Sequence, residues 1–188
     1  NLSLFKGDLR DIDFIRNVFA VAQNENEPIS AVIHFAGLKA VGESFLKPTQ
    51  YWDNNVVGTM NLLRVMEENN CKTIVFSSSA TIYRVIDNNL ITENAEIKST
   101  NPYGSTKVVV ENFLNDLFIS CPKEWRISSL RYFNPIGAHE SGLIGEDPLG
   151  RPNNIFPLIL QVAIKRIEKL LIFGKDWPTS DGTGVRDY

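Results

Sequence analysis

The chain has 188 residues, 43% of them hydrophobic, 22% charged and 10% aromatic, with a formal net charge of −3. This is an ordinary globular composition, and the weak negative charge gives no electrostatic case for nucleic acid or an anionic membrane as partner. No apolar run reaches the roughly 20 residues of a membrane-spanning helix. Cys71 and Cys121 stand far apart without metal-like neighbours, and His34 and His139 are isolated from them. All four therefore read as non-ligands, no metal is expected, and the expected compartment is the reducing cytoplasm.

Taken in order, Leu2-Ser3-Leu4-Phe5 reads as a strand, and Gly7-Asp8-Leu9-Arg10-Asp11 turns the chain into a helix through about Ala22. Asp11 is suited to cap that helix, and Ile12, Phe14, Ile15, Val18 and Phe19 form its apolar stripe. After a polar loop, Ala31 to Ala36 is the next buried strand, closed by Gly37. Residues 39–47 read as a loop, and Pro48 to Asn70 as one long helix carrying Met60, Leu62, Leu63, Val65 and Met66 inward. Thr73-Ile74-Val75-Phe76 is short, apolar and β-branched, the pattern of a buried parallel strand, and Ser77-Ser78-Ser79 follow where it emerges. A loop from Ala80 to Thr100 leads to a helix that starts at Pro102 and runs to about Ile119. Arg126 to Phe133 is a further strand, Asn134 to Asn153 an irregular Gly- and Pro-rich stretch, Ile155 to about Ile167 a helix, and Leu170 to Phe173 strand-like. Strand and helix alternate throughout, which predicts an α/β fold with a parallel sheet covered by helices on both faces.

Tyr103 and Lys107 fall four residues apart, one helical turn, so that phenol and ammonium share a face. A phenol with an ordinary pKa of about 10 is a poor base at neutral pH. An ammonium nearby favours the phenolate and makes the phenol usable as an acid or base. A hydroxyl at the carboxyl end of the serine strand, the edge where open α/β sheets hold ligands, could share the substrate proton. Tyrosine–lysine pairs at this spacing also decorate ordinary surfaces, and serines after a strand often only satisfy a turn. The order Ser79, Tyr103, Lys107, each at an element end, favours a site that moves protons on and off a carbinol.

Several longer stretches carry a resemblance. They are His34-Phe35-Ala36-Gly37-Leu38-Lys39-Ala40-Val41-Gly42-Glu43-Ser44, Asp53-Asn54-Asn55-Val56 with Gly58-Thr59, and Phe76-Ser77-Ser78-Ser79-Ala80-Thr81. Leu130-Arg131-Tyr132-Phe133-Asn134-Pro135 and Asp181-Gly182-Thr183-Gly184-Val185-Arg186-Asp187-Tyr188 continue the series. In order and spacing the whole chain resembles the UDP-glucose 4-epimerases of the extended short-chain dehydrogenase/reductase family. The resemblance implies a Rossmann-like doubly wound sheet over residues 1–133, with the beginning of a UDP-sugar-binding region over 134–188. It implies NAD as cofactor and interconversion of UDP-glucose and UDP-galactose through hydride and proton transfer at the sugar C4. Tyr103 would take the 4-hydroxyl proton, Lys107 would bind the nicotinamide ribose and depress the tyrosine pKa, and Ser79 would bond the reacting oxygen. Asp8, Leu9, Phe35, Ala36, Gly37, Leu38, Lys39, Asn54 and Phe133 would line the cofactor. Lys39, Asn134, Asn154, Ile155, Leu171, Phe173, Arg186 and Tyr188 would serve the UDP-sugar side, and family members commonly pair as homodimers.

Two departures qualify that expectation. The family usually has glycine where this chain has Arg84, so a left-handed backbone there would be strained. No strand here leads into closely spaced glycines opening a helix, the element that binds the cofactor pyrophosphate. The chain therefore reads as the central part of such an enzyme, and an inactive fragment or degenerate copy is the alternative. Related 4,6-dehydratases carry acidic residues after the strand-tip hydroxyl, where this chain has Ala80-Thr81, which argues for epimerisation over elimination.

Overall fold

The computed structural model describes residues 2–84, 90–148, 150, 152, 154–172 and 174–185. The chain divides into two compact units, Asn1–Tyr132 and Phe133–Tyr188. In the first, three parallel strands, β1 (Val32–His34), β2 (Thr73–Ser79) and β3 (Arg126–Tyr132), lie in the order β1-β2-β3. His34 pairs with Phe76, and Ser77, Ser78 and Ser79 pair with Leu130, Arg131 and Tyr132. The serines are thus the last three residues of the central strand rather than a turn beyond it, because β3 continues the ladder alongside them.

Helix α1 (Ile12–Asn24) begins where Asp11 accepts the Phe14 amide at 3.0 Å, as its sequence predicts. It buries Ile15 and Phe19 against α4 (Gly58–Glu68), whose Leu62, Leu63, Val65 and Met66 face inward. Val110, Leu114 and Leu117 of α5 (Pro102–Ser120) join Ile74 and Phe76 of β2 in the same core. Met60 lies at the rim of the α4 stripe and is 40% exposed, not inward as its neighbours suggested.

Four further expectations are corrected. Residues 39–47 contain a short helix, α2 (Val41–Leu46), stapled by Ser44 Oγ donating to the Val41 carbonyl at 2.6 Å. The run from Pro48 is not one regular helix: α3 (Pro48–Trp52) passes into a π-helical turn, Asp53–Val57, before α4. Leu2–Phe5 and Leu170–Ile172 form no strand, since a strand needs a ladder and none is paired with them; Leu2 is 99% exposed. Phe173 lies outside the described residues. Among the described residues the β1 strand is an edge, and Ile33, turned away from the core, is 65% exposed rather than buried.

In the second unit, α6 (Ile155–Ala163) ends four residues before its expected limit. Lys165 takes a left-handed φ of 61° there, and the Arg166 amide returns to the Gln161 carbonyl at 2.8 Å, a terminating turn of Schellman type. Among the described residues no helix is long and apolar enough to cross a membrane.

These contacts rank substitutions. Leu63→Ala removes a side chain with 1% exposure, and urea denaturation should show a loss of about 2–5 kcal/mol. Met60→Ala at the rim should lose less than about 1 kcal/mol in the same titration.

Candidate active site

The site begins with a close approach that only glycine permits. A Cβ on Gly104 would stand 2.8 Å from the Thr81 carbonyl oxygen and within 2.2 Å of Ser99 Oγ. With hydrogen there instead, the first turn of α5 rests on the 3₁₀ turn Ala80–Ile82 that follows Ser79. Asn101 caps the helix by accepting the Gly104 amide at 2.8 Å, and Pro102 opens it with its φ already set. Tyr103 and Lys107 are thereby turned inward, at 8% and 5% exposure.

Ser79 Oγ accepts the Thr81 amide at 3.2 Å and the Thr81 hydroxyl at 3.1 Å, and its own hydroxyl lies near enough to the Tyr103 phenol to favour the phenolate. Lys107 Nζ donates to the Ser77 carbonyl at 2.8 Å and lies 4.8 Å from the Phe76 ring centroid and 5.8 Å from that of Tyr103. Burial pushes the Lys107 ammonium down to about 8, which leaves it charged at neutral pH. Burial also pushes the Tyr103 phenol upward, against the pull of the nearby Ser79 hydroxyl. In the chain by itself, desolvation of the phenolate sets this direction.

The carboxyl end of β1 lies on the same sheet edge as that of β2, because the strands are parallel. Phe35, Ala36, Gly37 and Lys39 follow β1 there and are exposed, with Leu38 half-buried. A Cβ on Gly37 would come within 3.2 Å of Asn55 Oδ1 and 3.7 Å of Lys107 Nζ, so the backbone itself lies against the lysine. Asn55, in the π-helical turn, holds it there. Its Oδ1 accepts the Leu38 amide at 2.8 Å, and its Nδ2 donates to the Leu38 carbonyl at 2.9 Å and to Thr106 Oγ1 at 3.1 Å.

Asn54, the residue singled out from the sequence, is half-buried and donates to the Gln50 carbonyl at 3.4 Å. Asp8 is forked by Arg10, with a shortest contact of 2.6 Å, which holds its carboxyl down at about 2; Arg10 also reaches Asp53 at 3.0 Å. Leu9 is half-buried and its carbonyl accepts Asn61 Nδ2 at 3.3 Å. In the second unit Phe133 is 40% exposed, Asn134 half-buried, and Asn154 precedes α6 with Ile155 as its first residue, both exposed. Leu171 is 49% exposed. Phe173, Arg186 and Tyr188 lie outside the described residues. Arg84 is free of left-handed strain; it pairs with Glu96 at 2.8 Å, and its amide donates to the Glu96 carbonyl.

Sequence reasoning passed over Asn55, Thr106 and a buried histidine. Tyr51, Asn55, Thr59 and Leu62 recur at helical spacing and are all buried, a stripe that marks Asn55 as inward. Thr59 Oγ1 donates to the Asn55 carbonyl at 2.6 Å, so it accepts from His34 Nε2 at 2.8 Å, and the imidazole is neutral with its proton on Nε2. Burial first, and then the Lys107 charge, lower the His34 pKa to about 4. A base lowered in the folded state stabilises the fold fully above its ordinary value and loses that contribution on acidification. The urea midpoint should therefore fall as pH drops from about 6.5 through about 4, by on the order of 3 kcal/mol from this group. His34→Gln, which keeps a donor to Thr59, should flatten that part of the profile.

A family model described as GDP-mannose 4,6 dehydratase matches residues 1–188. The chain is 53% identical over 188 residues to UDP-glucose 4-epimerase of Bacillus subtilis, spanning all of this chain and 54% of that protein. It is also 53% identical to UDP-glucose 4-epimerase 2 of Oryza sativa subsp. japonica, covering 45% of it. Among solved structures, UDP-glucose 4-epimerase from Bifidobacterium longum, in complex with NAD+ and UDP, matches with a TM-score of 0.87 at 50% identity. That match covers 98% of this chain and 53% of the other. The chain thus spans about half the length of the relatives it matches, and its fold is Rossmann-like. From the full-length match to the family model, this chain belongs to the GDP-mannose 4,6 dehydratase family, within which it is similar from end to end to UDP-glucose 4-epimerases.

Proposed function

We propose that this chain carries the proton-transfer centre of a UDP-glucose 4-epimerase, acting on UDP-glucose and UDP-galactose with NAD. The observation that carries the proposal is the joining of Ser79, Tyr103 and Lys107 at one sheet edge. The Ser79 hydroxyl lies near enough to the Tyr103 phenol to favour the phenolate, and the Tyr103 ring stands 5.8 Å from the lysine ammonium. Tyr103 would accept and return the proton of the sugar 4-hydroxyl, and Ser79 would orient that oxygen. NAD, when bound, supplies the hydride acceptor and donor at the same carbon.

The residues present fit such a cofactor on two counts. Gly37 lets the backbone lie directly against Lys107, with no side chain between strand end and ammonium. Lys107 has three N–H donors, and its one hydrogen bond among the described residues goes to the Ser77 carbonyl. Two remain for the hydroxyls of a ribose. Phe35, Ala36, Leu38, Lys39, Asn54, Asp8, Leu9 and Phe133 would line the cofactor. Asn134, Asn154, Ile155, Leu171, Phe173, Arg186 and Tyr188 would serve the UDP-sugar. Elimination at C6, the dehydratase alternative, needs a further acid at the strand tip. Ala80 and Thr81 stand there, and the Thr81 hydroxyl is bonded to Ser79.

The same reading carries a cytoplasmic homodimer. Trp52, Val57 and Met60, 37%, 44% and 40% exposed, offer apolar surface along one helical run. A second reading, a chain inactive by itself, is favoured by its spanning only about half the length of the epimerases it matches.

The deciding assay is interconversion of UDP-galactose and UDP-glucose with NAD, in the longest polypeptide that contains this chain. Tyr103→Phe should lower kcat by about 10²–10⁴-fold with KM little changed, the scale of a lost proton-transfer group. Full activity in that variant sinks the proposal. The 188-residue chain alone should release no NAD on denaturation and show no turnover.

A further inference from the structure

Glu111 and Arg131 have no part in the chemistry above, yet they sit where its supporting elements meet. Glu111 lies one turn beyond Lys107 on α5, and Arg131 lies on β3 paired with Ser78 of β2. Arg131 forks onto the carboxylate, Nε to Oε1 at 3.1 Å and Nη2 to Oε2 at 2.7 Å. Ser78 Oγ donates to the same Oε1. The remaining arm of the guanidinium, Nη1, donates to the Tyr83 hydroxyl at 2.8 Å and to the Glu93 carbonyl at 2.9 Å. Its carbon lies 5.1 Å from the Tyr83 ring centroid. The two charged side chains are only 21% and 10% exposed.

A buried ion pair is weak as a source of stability, because desolvation offsets its attraction. Its value lies in geometry: a forked guanidinium fixes its partners in angle as well as distance. The partners here flank one residue. Ser78 immediately precedes Ser79 on β2, and Tyr83 closes the 3₁₀ turn that follows it. We infer that Glu111 and Arg131 are positioning residues, which clamp the chain on both sides of Ser79 and so hold its hydroxyl beside the Tyr103 phenol. The catalytic meaning of the clamp rests on the proposed function; the clamp itself can be read without any nucleotide.

The test is an NMR spectrum of the chain labelled with ¹³C at tyrosine Cζ, which has five signals to resolve. Tyr103→Phe assigns the Tyr103 signal, and Ser79→Ala marks its position once the serine hydroxyl is gone. Arg131→Lys keeps the charge but removes the fork. It should move the Tyr103 signal at least halfway to the Ser79→Ala position. The Tyr51 signal, from a fully buried ring bonded to Ala40 and Glu43, should stay where it is. Should Arg131→Lys not fold, Ser78→Ala decides by the same criterion. An unmoved Tyr103 signal overturns the inference. So does a shift shared with Tyr51, which would mark general loosening. A clamp seen in this chain, with no epimerase turnover in the longest polypeptide that contains it, would leave this inference standing and sink the proposed reaction. Turnover with an insensitive Tyr103 signal would do the reverse.

Discussion

The candidate site of this chain depends on a helix start lying against the turn after a strand with no side chain between them. Gly104 supplies that contact, and the burial of Tyr103 and Lys107 follows from it. A buried ammonium is costly unless something replaces water around it. Here the Ser77 carbonyl and the faces of Phe76 and Tyr103 do so in part, and the lowered lysine pKa measures what they do not replace. The same desolvation raises the phenol. Before any ligand arrives, the pair is thus held with the lysine charged and the tyrosine neutral, the state in which the tyrosine retains its proton.

A second layer of polar contacts keeps this centre in register with the neighbouring strand. Asn55 ties the backbone after β1 to Thr106, whose hydroxyl in turn bonds the Tyr103 carbonyl at 2.6 Å. His34 and Thr59 secure Asn55 from behind. Each member is satisfied, which is the condition under which a buried polar network sharpens a structure instead of weakening it. Arg84 adds no strain, because the chain there stays out of the left-handed region and Glu96 takes its charge.

The central pair was legible because it depends on local facts: a four-residue spacing, a proline at the helix start, and serines at the end of an apolar run. The cores of α1, α4 and β2 were legible for the same reason, through their periods. What escaped depends on non-local partners. Leu2–Phe5 has the composition of a strand, but composition cannot supply the ladder. Residues 41–46 lack a clean apolar period and any side-chain cap, so nothing in their spelling announces a helix. Asn55 was passed over because a short polar side chain serves equally well at a helix end, toward water or toward a buried partner. The direction of the Tyr103 shift followed from burial, which spacing does not reveal.

The π-helical turn at Asp53–Val57 carries one more consequence. A π turn is an α-helix with one residue too many, and each residue advances an α-helix by about 100°. Deleting a single residue there would restore a regular helix and rotate Asn55 and everything before it relative to Gly58–Glu68. Leu62, Leu63 and Met66 could keep their places only by turning Tyr51 and Asn55 out of theirs. The extra residue therefore works as a phase shifter between two stripes, one facing the core and one facing the site. Length in this segment is constrained to the single residue, whatever its composition.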